Sequence, residues 1–293
     1  MKDYTNNFTS IAMNYKKHVE WVLSTYMDED ISISNAFQKD IIQNCMGASK
    51  NKSKAGWKCF INVVENEKGK FIVVEDEGTV GLTGTNIPQT EITRFTNEGH
   101  EFEQNQRLAR FSSLYNSSSN QQGAGLYGIG KTMYAIASKD ISYYFDSLTE
   151  DGRYVANTIK TGQILEYALE EEEAKSFIFD ETGISPKFSV GTRVIIPNPT
   201  DDLILDIENG NMEKFIQESW WISLQHLKDD AGVYINGKKV PAIDKDCYNY
   251  SHRKLFENES YNDCKVKRFE IFVSENGDIP FGYSLFVVGN RVT

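Results

Sequence analysis

Between residues 123 and 130 the chain places four glycines in eight positions, Gly123-Ala-Gly125-Leu-Tyr-Gly128-Ile-Gly130, and Lys131 follows directly. Glycine lets backbone come close to a ligand, and a glycine run that opens a helix turns its amides toward an anion. Two further elements precede it in fixed order. Asp40-Ile-Ile-Gln-Asn44 sets an acid and an amide one helical turn apart, where they share a face. Asp76-Glu-Gly78-Thr-Val-Gly81 follows an apolar, β-branched run, so that an acid closes a strand. Together the three describe a nucleotide pocket, with an acid to read a base, an amide to face a metal and backbone amides to cradle phosphates.

Composition limits the alternatives. The chain has 293 residues, 40% hydrophobic and 25% charged, enough for a substantial core and unlike a disordered sequence. A formal charge of −11 argues against binding nucleic acid by general electrostatic attraction. The lysine-rich stretch from Lys50 to Lys58 is the best local basic candidate, and it reads more simply as a solvated loop. Cysteines at 45, 59, 247 and 264 have no C-x-x-C spacing and read as free thiols in a reducing compartment. The N-terminus lacks an apolar signal core, and no run approaches membrane-spanning length. A cytoplasmic protein with no membrane partner is expected.

Along the chain, apolar spacing predicts an amphipathic helix over 8–27 and a second from about 36, capped near Ser34-Asn35 and carrying Asp40 and Asn44. A hairpin follows, turning at Asn66–Gly69 and ending at Asp76. The polar stretch from Gly78 to Gly123 reads as a lid with short helices around 88–95 and 103–115. A helix over 129–138, a meander of strands ending at Pro197 and a helix from Met212 complete the main unit. Beyond residue 230 come a short hairpin and two strands around Asn276-Gly277, and the chain stops within that β pattern, as a portion of a longer protein would.

At the motif residues the sequence resembles the GHKL superfamily, which groups gyrase, heat-shock chaperones, histidine kinases and MutL around one ATP-binding fold. The family's E-x-x-x-N, D-x-G-x-G and G-x-x-G-x-G boxes and later Gly-Thr read here as Asp40…Asn44, Asp76…Gly78…Gly81, Gly125…Gly128…Gly130 and Gly191-Thr192, across roughly residues 30 to 200. The resemblance implies an α+β two-layer sandwich, with a mixed, mostly antiparallel sheet and helices on one face. Its ATP-binding domain would cover 1–230, with a lid over about 82–123, and a smaller β-rich extension would cover 231–293. It also implies Mg-ATP as ligand, slow hydrolysis coupled to lid closure, and dimerisation. A nucleic-acid or protein partner would be engaged through a C-terminal region, as in a chaperone-like protein, a DNA-linked clamp or a prokaryotic defence ATPase.

The implied roles fall residue by residue. Asp76 accepts from the adenine amino group, supported by Thr192 through its hydroxyl and a water, while Asn44 ligates Mg²⁺, which takes few protein oxygens. Asp40 is the general base. Gly78 and Gly81 shape the adenine side, and Gly123, Gly125, Gly128 and Gly130 admit the phosphates, with the amides of Leu126, Tyr127, Gly128, Ile129 and Gly130 as donors and Lys131 adding charge.

Two departures bear on turnover. The family's catalytic glutamate is Asp40 here, about 1.5 Å shorter in reach, and the second box carries one extra residue at Thr79-Val80. A nucleotide sensor with negligible turnover is therefore the competing reading. Gly125–Thr132 also fits the P-loop pattern, with Leu203–Asp206 as its acidic strand, but the residues before Gly125 are polar and strand-hostile. The histidines at 18, 100, 226 and 252 show neither metal-ligand spacing nor a phosphoacceptor motif.

Overall fold

A computed structural model describes residues 4, 7–10, 15–27, 32–50, 54–113, 130–228 and 230–242, together with 252–261, 264–273, 285–287 and 290–292. Two compact units emerge, one of residues 1–216 and 227–240, the other of 217–226 and 241–293.

The first unit is built on a ten-stranded sheet. Its strands are β1 (Phe8–Ser10), β2 (Lys58–Asn66), β3 (Gly69–Glu77), β4 (Ser142–Leu148), β5 (Tyr154–Lys160), β6 (Gln163–Leu165), β7 (Leu169–Glu170), β8 (Gly191–Pro197), β9 (Gly232–Ile235) and β10 (Lys238–Lys239). They lie in the order β1-β6-β5-β4-β8-β3-β2-β9-β10, with β7 beside β5. Every pairing is antiparallel except that of β2 with β9. The mixed, mostly antiparallel α+β sheet is the fold class the sequence predicts.

Helices α1 (Tyr15–Met27), α2 (Ile33–Gly47), α3 (Gln89–Asn97), α4 (Arg107–Ser112), α5 (Thr132–Ile136), α6 (Glu171–Thr182) and α7 (Asp201–Glu208) accompany it, and α8 (Asn211–His226) follows. Successive strand residues face opposite sides of a sheet, and β4 shows what each side meets. Tyr143 meets Tyr134 of α5, with ring centroids 5.6 Å apart and the rings tilted, and Phe145 meets Phe111 of α4 at 4.8 Å. Tyr144, between them, points the other way to Phe177 of α6 at 6.1 Å. The expected helix layer therefore has a counterpart, because α6 covers the opposite face with Phe71, Val73, Ala156 and Ile195 beneath it.

Several local expectations shift. The first helix begins at Tyr15 rather than residue 8, because Phe8–Ser10 pairs with β6 as an edge strand. α2 is capped by Ser32, whose hydroxyl accepts from the Asn35 N–H at 3.2 Å, rather than by Ser34-Asn35. Leu203–Asp206 is helical, not a strand, since Asp201 and Asp202 sit in the first turn of α7, where negative charge favours helix. β9, placed by sequence in the extension, joins the main sheet through β2.

In the second unit β11 (His252–Tyr261) pairs with β12 (Cys264–Val273), and β13 (Leu285–Val287) with β14 (Asn290–Val292). Among the described residues, the strands on either side of Asn276-Gly277 therefore each pair with a different neighbour. No helix among the described residues is long and apolar enough to cross a membrane.

Candidate functional site

The hairpin of β2 and β3 forms in the expected register, Asn66 opposite Gly69 and Cys59 opposite Asp76. Asp76 thereby ends β3 on the face covered by α2 and is 5% exposed. One carboxylate oxygen, Oδ1, accepts from the Thr79 hydroxyl at 2.5 Å and from the backbone N–H of Thr192 at 2.9 Å. No described donor bonds Oδ2. Burial pushes the Asp76 pKa up to about 6, opposed by the Thr79 hydroxyl, the Thr192 amide and the charge of Lys187. The group is thus an ionised acceptor at neutral pH with one oxygen uncommitted, which suits reading an amino group.

Thr192 supports Asp76 through its main chain, where the sequence suggested its hydroxyl. Thr79 is the residue that motif reading undervalued. Counted as an insertion, it is buried and orients the carboxylate; a hydroxyl three residues past a strand-closing acid was the available signal. Gly78 and Gly81 form the turn with φ of +73° and +74°, a left-handed region costly for side-chain-bearing residues. A Cβ on Gly81 would lie 2.6 Å from the Leu148 carbonyl oxygen.

The C-terminal end of α2 is fastened to this turn. The Lys50 N–H donates to the Gly78 carbonyl at 3.0 Å, Ser49 bridges Thr79, and the Trp57 indole N–H donates to the Cys45 carbonyl at 2.9 Å. Asp40 and Asn44 sit one turn apart on the same helix, Asp40 part-buried and Asn44 exposed. Both meet Gly130. A Cβ placed there would lie 3.4 Å from Asp40 Cγ and 3.5 Å from Asn44 Nδ2. Residues ninety apart in sequence are therefore in van der Waals reach, and glycine leaves the space between them open.

Gly123, Gly125, Leu126, Tyr127, Gly128 and Ile129 lie outside the described residues. Lys131, expected to add charge at the phosphates, instead donates from Nζ to the carbonyls of Arg110 at 2.6 Å, Phe111 at 3.2 Å and Ser113. Burial, helped by the charge of Arg110, lowers its pKa to about 7. Arg107, absent from the sequence expectation, reaches from α4 to the Ala48 carbonyl at 3.4 Å. Burial and Arg110 lower its pKa, while the negative charge of Asp76 acts the other way.

Behind the pocket Cys45 and Cys59 are buried free thiols, and hydrogen bonding to Cys59 and burial raise the Cys45 pKa well above its usual value. Glu77, the other acid of the second box, pairs across the hairpin with Lys58 at 3.8 Å. His18 bonds the Thr132 hydroxyl at 3.1 Å, and burial lowers its pKa. The described residues hold no group of three or more metal-ligating side chains.

No protein-family model matches this sequence, and no curated protein is significantly similar to it.

Proposed function

We propose that this chain binds Mg-ATP in a GHKL-like pocket and hydrolyses it slowly, acting as the ATPase module of a larger protein. The observation that carries the reading is the meeting of Gly130 with Asp40 and Asn44, which joins the end of the glycine run to the acid–amide face of α2. Asp76 stands beside that helix with Oδ2 uncommitted, so an adenine amino group fits as its donor. Magnesium suits a site with one amide oxygen, because it fills most of its shell with water and phosphate oxygens. Bound there, the ion would neutralise phosphate charge.

The chain's own residues divide the remaining work. Asp76 selects the base, Asn44 presents an amide oxygen to the metal, and Asp40 accepts a proton from, or orients, the attacking water. Lid closure and dimerisation belong to the same proposal, as does a C-terminally engaged nucleic-acid or protein partner. We assign the protein to the cytoplasm, where the buried thiols Cys45 and Cys59 stay reduced. Calorimetry with Mg-ATP, Mg-ADP and Mg-GTP tests the reading. Micromolar to submillimolar adenine nucleotide binding with weaker GTP binding is expected, and no heat with any of them up to millimolar concentration overturns it.

A further inference from the structure

An ammonium group has three hydrogens to donate and no acceptor. In Lys131 all three are matched by carbonyls of one short segment, those of Arg110, Phe111 and Ser113. These are carbonyls at the C-terminal end of α4, where helical partners run out and a cation is favoured. The other end of α4 is fastened as well, with the Leu108 N–H on the Thr83 carbonyl at 2.9 Å and Arg107 on the Ala48 carbonyl at 3.4 Å. Ala48 is the C-cap of α2, the helix that bears Asp40 and Asn44. Lys131 itself adjoins Gly130, which lies against those two side chains. α4 is thus a strap between the acid–amide helix and the end of the glycine run.

We propose that Lys131 is a positioning residue, whose ammonium docks α4 and so holds Gly130 against Asp40 and Asn44 instead of binding phosphate. This rests on the nucleotide reading for its functional consequence, though the docking itself does not. The charged and titratable groups around the contact are Arg107 and Arg110 of α4, Asp40 of α2, His18 of α1 through Thr132, and Tyr134 of α5.

The docked amine has its pKa lowered to about 7 from 10.5, first by burial and then by Arg110. Against that cost stand the three carbonyl acceptors, each of which favours the charged amine, so the ammonium is the docking form.

Hydrogen exchange on the full chain without nucleotide reads this directly. The useful amides are those of Arg110 and Ser113, bonded to the carbonyls of Gln106 at 3.0 Å and Ala109 at 2.9 Å. After correction for intrinsic exchange, their protection should fall about tenfold or more in Lys131→Met, which keeps an apolar stem and should fold. Lys131→Arg should keep α4 protected, because its guanidinium stays charged. Mg-ATP affinity should fall about tenfold in Lys131→Met and return toward the parent value in Lys131→Arg. Protection in Lys131→Met equal to that of the parent protein overturns the proposal. So does Lys131→Arg losing nucleotide affinity with α4 still protected, which would make the lysine a phosphate ligand. Should Lys131→Met lose the protection while the parent chain binds no nucleotide, the docking role stands and the ATP reading falls.

Discussion

The backbone N–H of Thr192 donates to Oδ1 of Asp76 at 2.9 Å, tying β8 to the open end of the hairpin, away from its turn. With the Thr79 hydroxyl on the same oxygen, the carboxylate is fixed from two sides, and no described donor bonds its other oxygen. A buried carboxylate is costly unless its charge is used, and here the cost is visible in the pKa raised to about 6.

Replacing Asp76 by Asn should separate stability from binding. Because the folded pKa is raised above the unfolded value of 3.8, this group's favourable contribution is present below 3.8 and lost as pH rises through about 6. Asp76→Asn removes that loss, so its melting temperature should exceed the parent's by a few degrees at pH 7.5 and by less at pH 4. Calorimetry on the same variant should show Mg-ATP affinity lower by at least about tenfold, or 1.4 kcal/mol, for the lost charge-assisted hydrogen bond. Unchanged affinity would remove Asp76 from the pocket.

The same titration gives binding a pH dependence. An adenine amino group needs an acceptor, and ionised Asp76 gives a charge-assisted one that the protonated acid does not. Affinity should be level above pH 7 and fall by about tenfold in all as pH drops through 6, while Asp76→Asn should show a flat, weak profile over that range. A parent profile level down to pH 5 would argue for another base contact.

Magnesium dependence separates the GHKL-like reading from the P-loop one. Asn44→Ala should abolish the gain in nucleotide affinity that magnesium brings, while binding of the metal-free nucleotide persists. In a P-loop protein Asn44→Ala would leave binding alone. Titrations of both proteins with ATP, with and without magnesium, decide between these outcomes.

The pocket was legible where chemistry left a local mark. A strand that closes on an acid, and an acid–amide pair one turn apart, both follow from periodicities of two and 3.6. The hairpin register came out as read because Glu67-Lys68 leaves Asn66 and Gly69 as the only closing pair. What escaped depends on contacts across the sheet. Lys131 reads as a phosphate lysine in sequence, and only the fold brings the carbonyls of Arg110, Phe111 and Ser113 to it. Thr79 looks like an insertion until the turn aims its hydroxyl at Asp76.

α6 shows the opposite failure. Its signals were local, three glutamates in the first turn and Gly183 left-handed just past its end. It nonetheless starts straight out of β7, so the meander of strands expected up to Pro197 is interrupted by a helix with no turn before it. The buried ion pair of Arg193 with Asp146 on that face, its guanidinium nitrogens 2.8 Å and 2.5 Å from the carboxylate, has no sequence signature at all. Its partners are neighbours only through the β4–β8 register.

Turnover is where this chain departs most from the family it resembles. A general base must come within hydrogen-bond reach of the water it activates, and Asp40 is one methylene shorter than the glutamate expected there. Gly130 nevertheless lies against this carboxylate, the Asp40 Cγ being 3.4 Å from where a Cβ of residue 130 would stand, so the end of the glycine run comes to the acid. Slow but measurable hydrolysis is therefore expected. Asp40→Asn should lower it by about 10²-fold or more, the usual worth of a positioned base, without weakening Mg-ATP binding more than a few-fold. Asp40→Glu should match or exceed the parent rate. Glu77 is no substitute, because it is paired with Lys58 across the hairpin and alternates to the face opposite Asp76. If Asp40→Asn turns over at the parent rate while binding ATP normally, the water is activated elsewhere; if the parent itself shows no turnover above background, the chain is a nucleotide sensor.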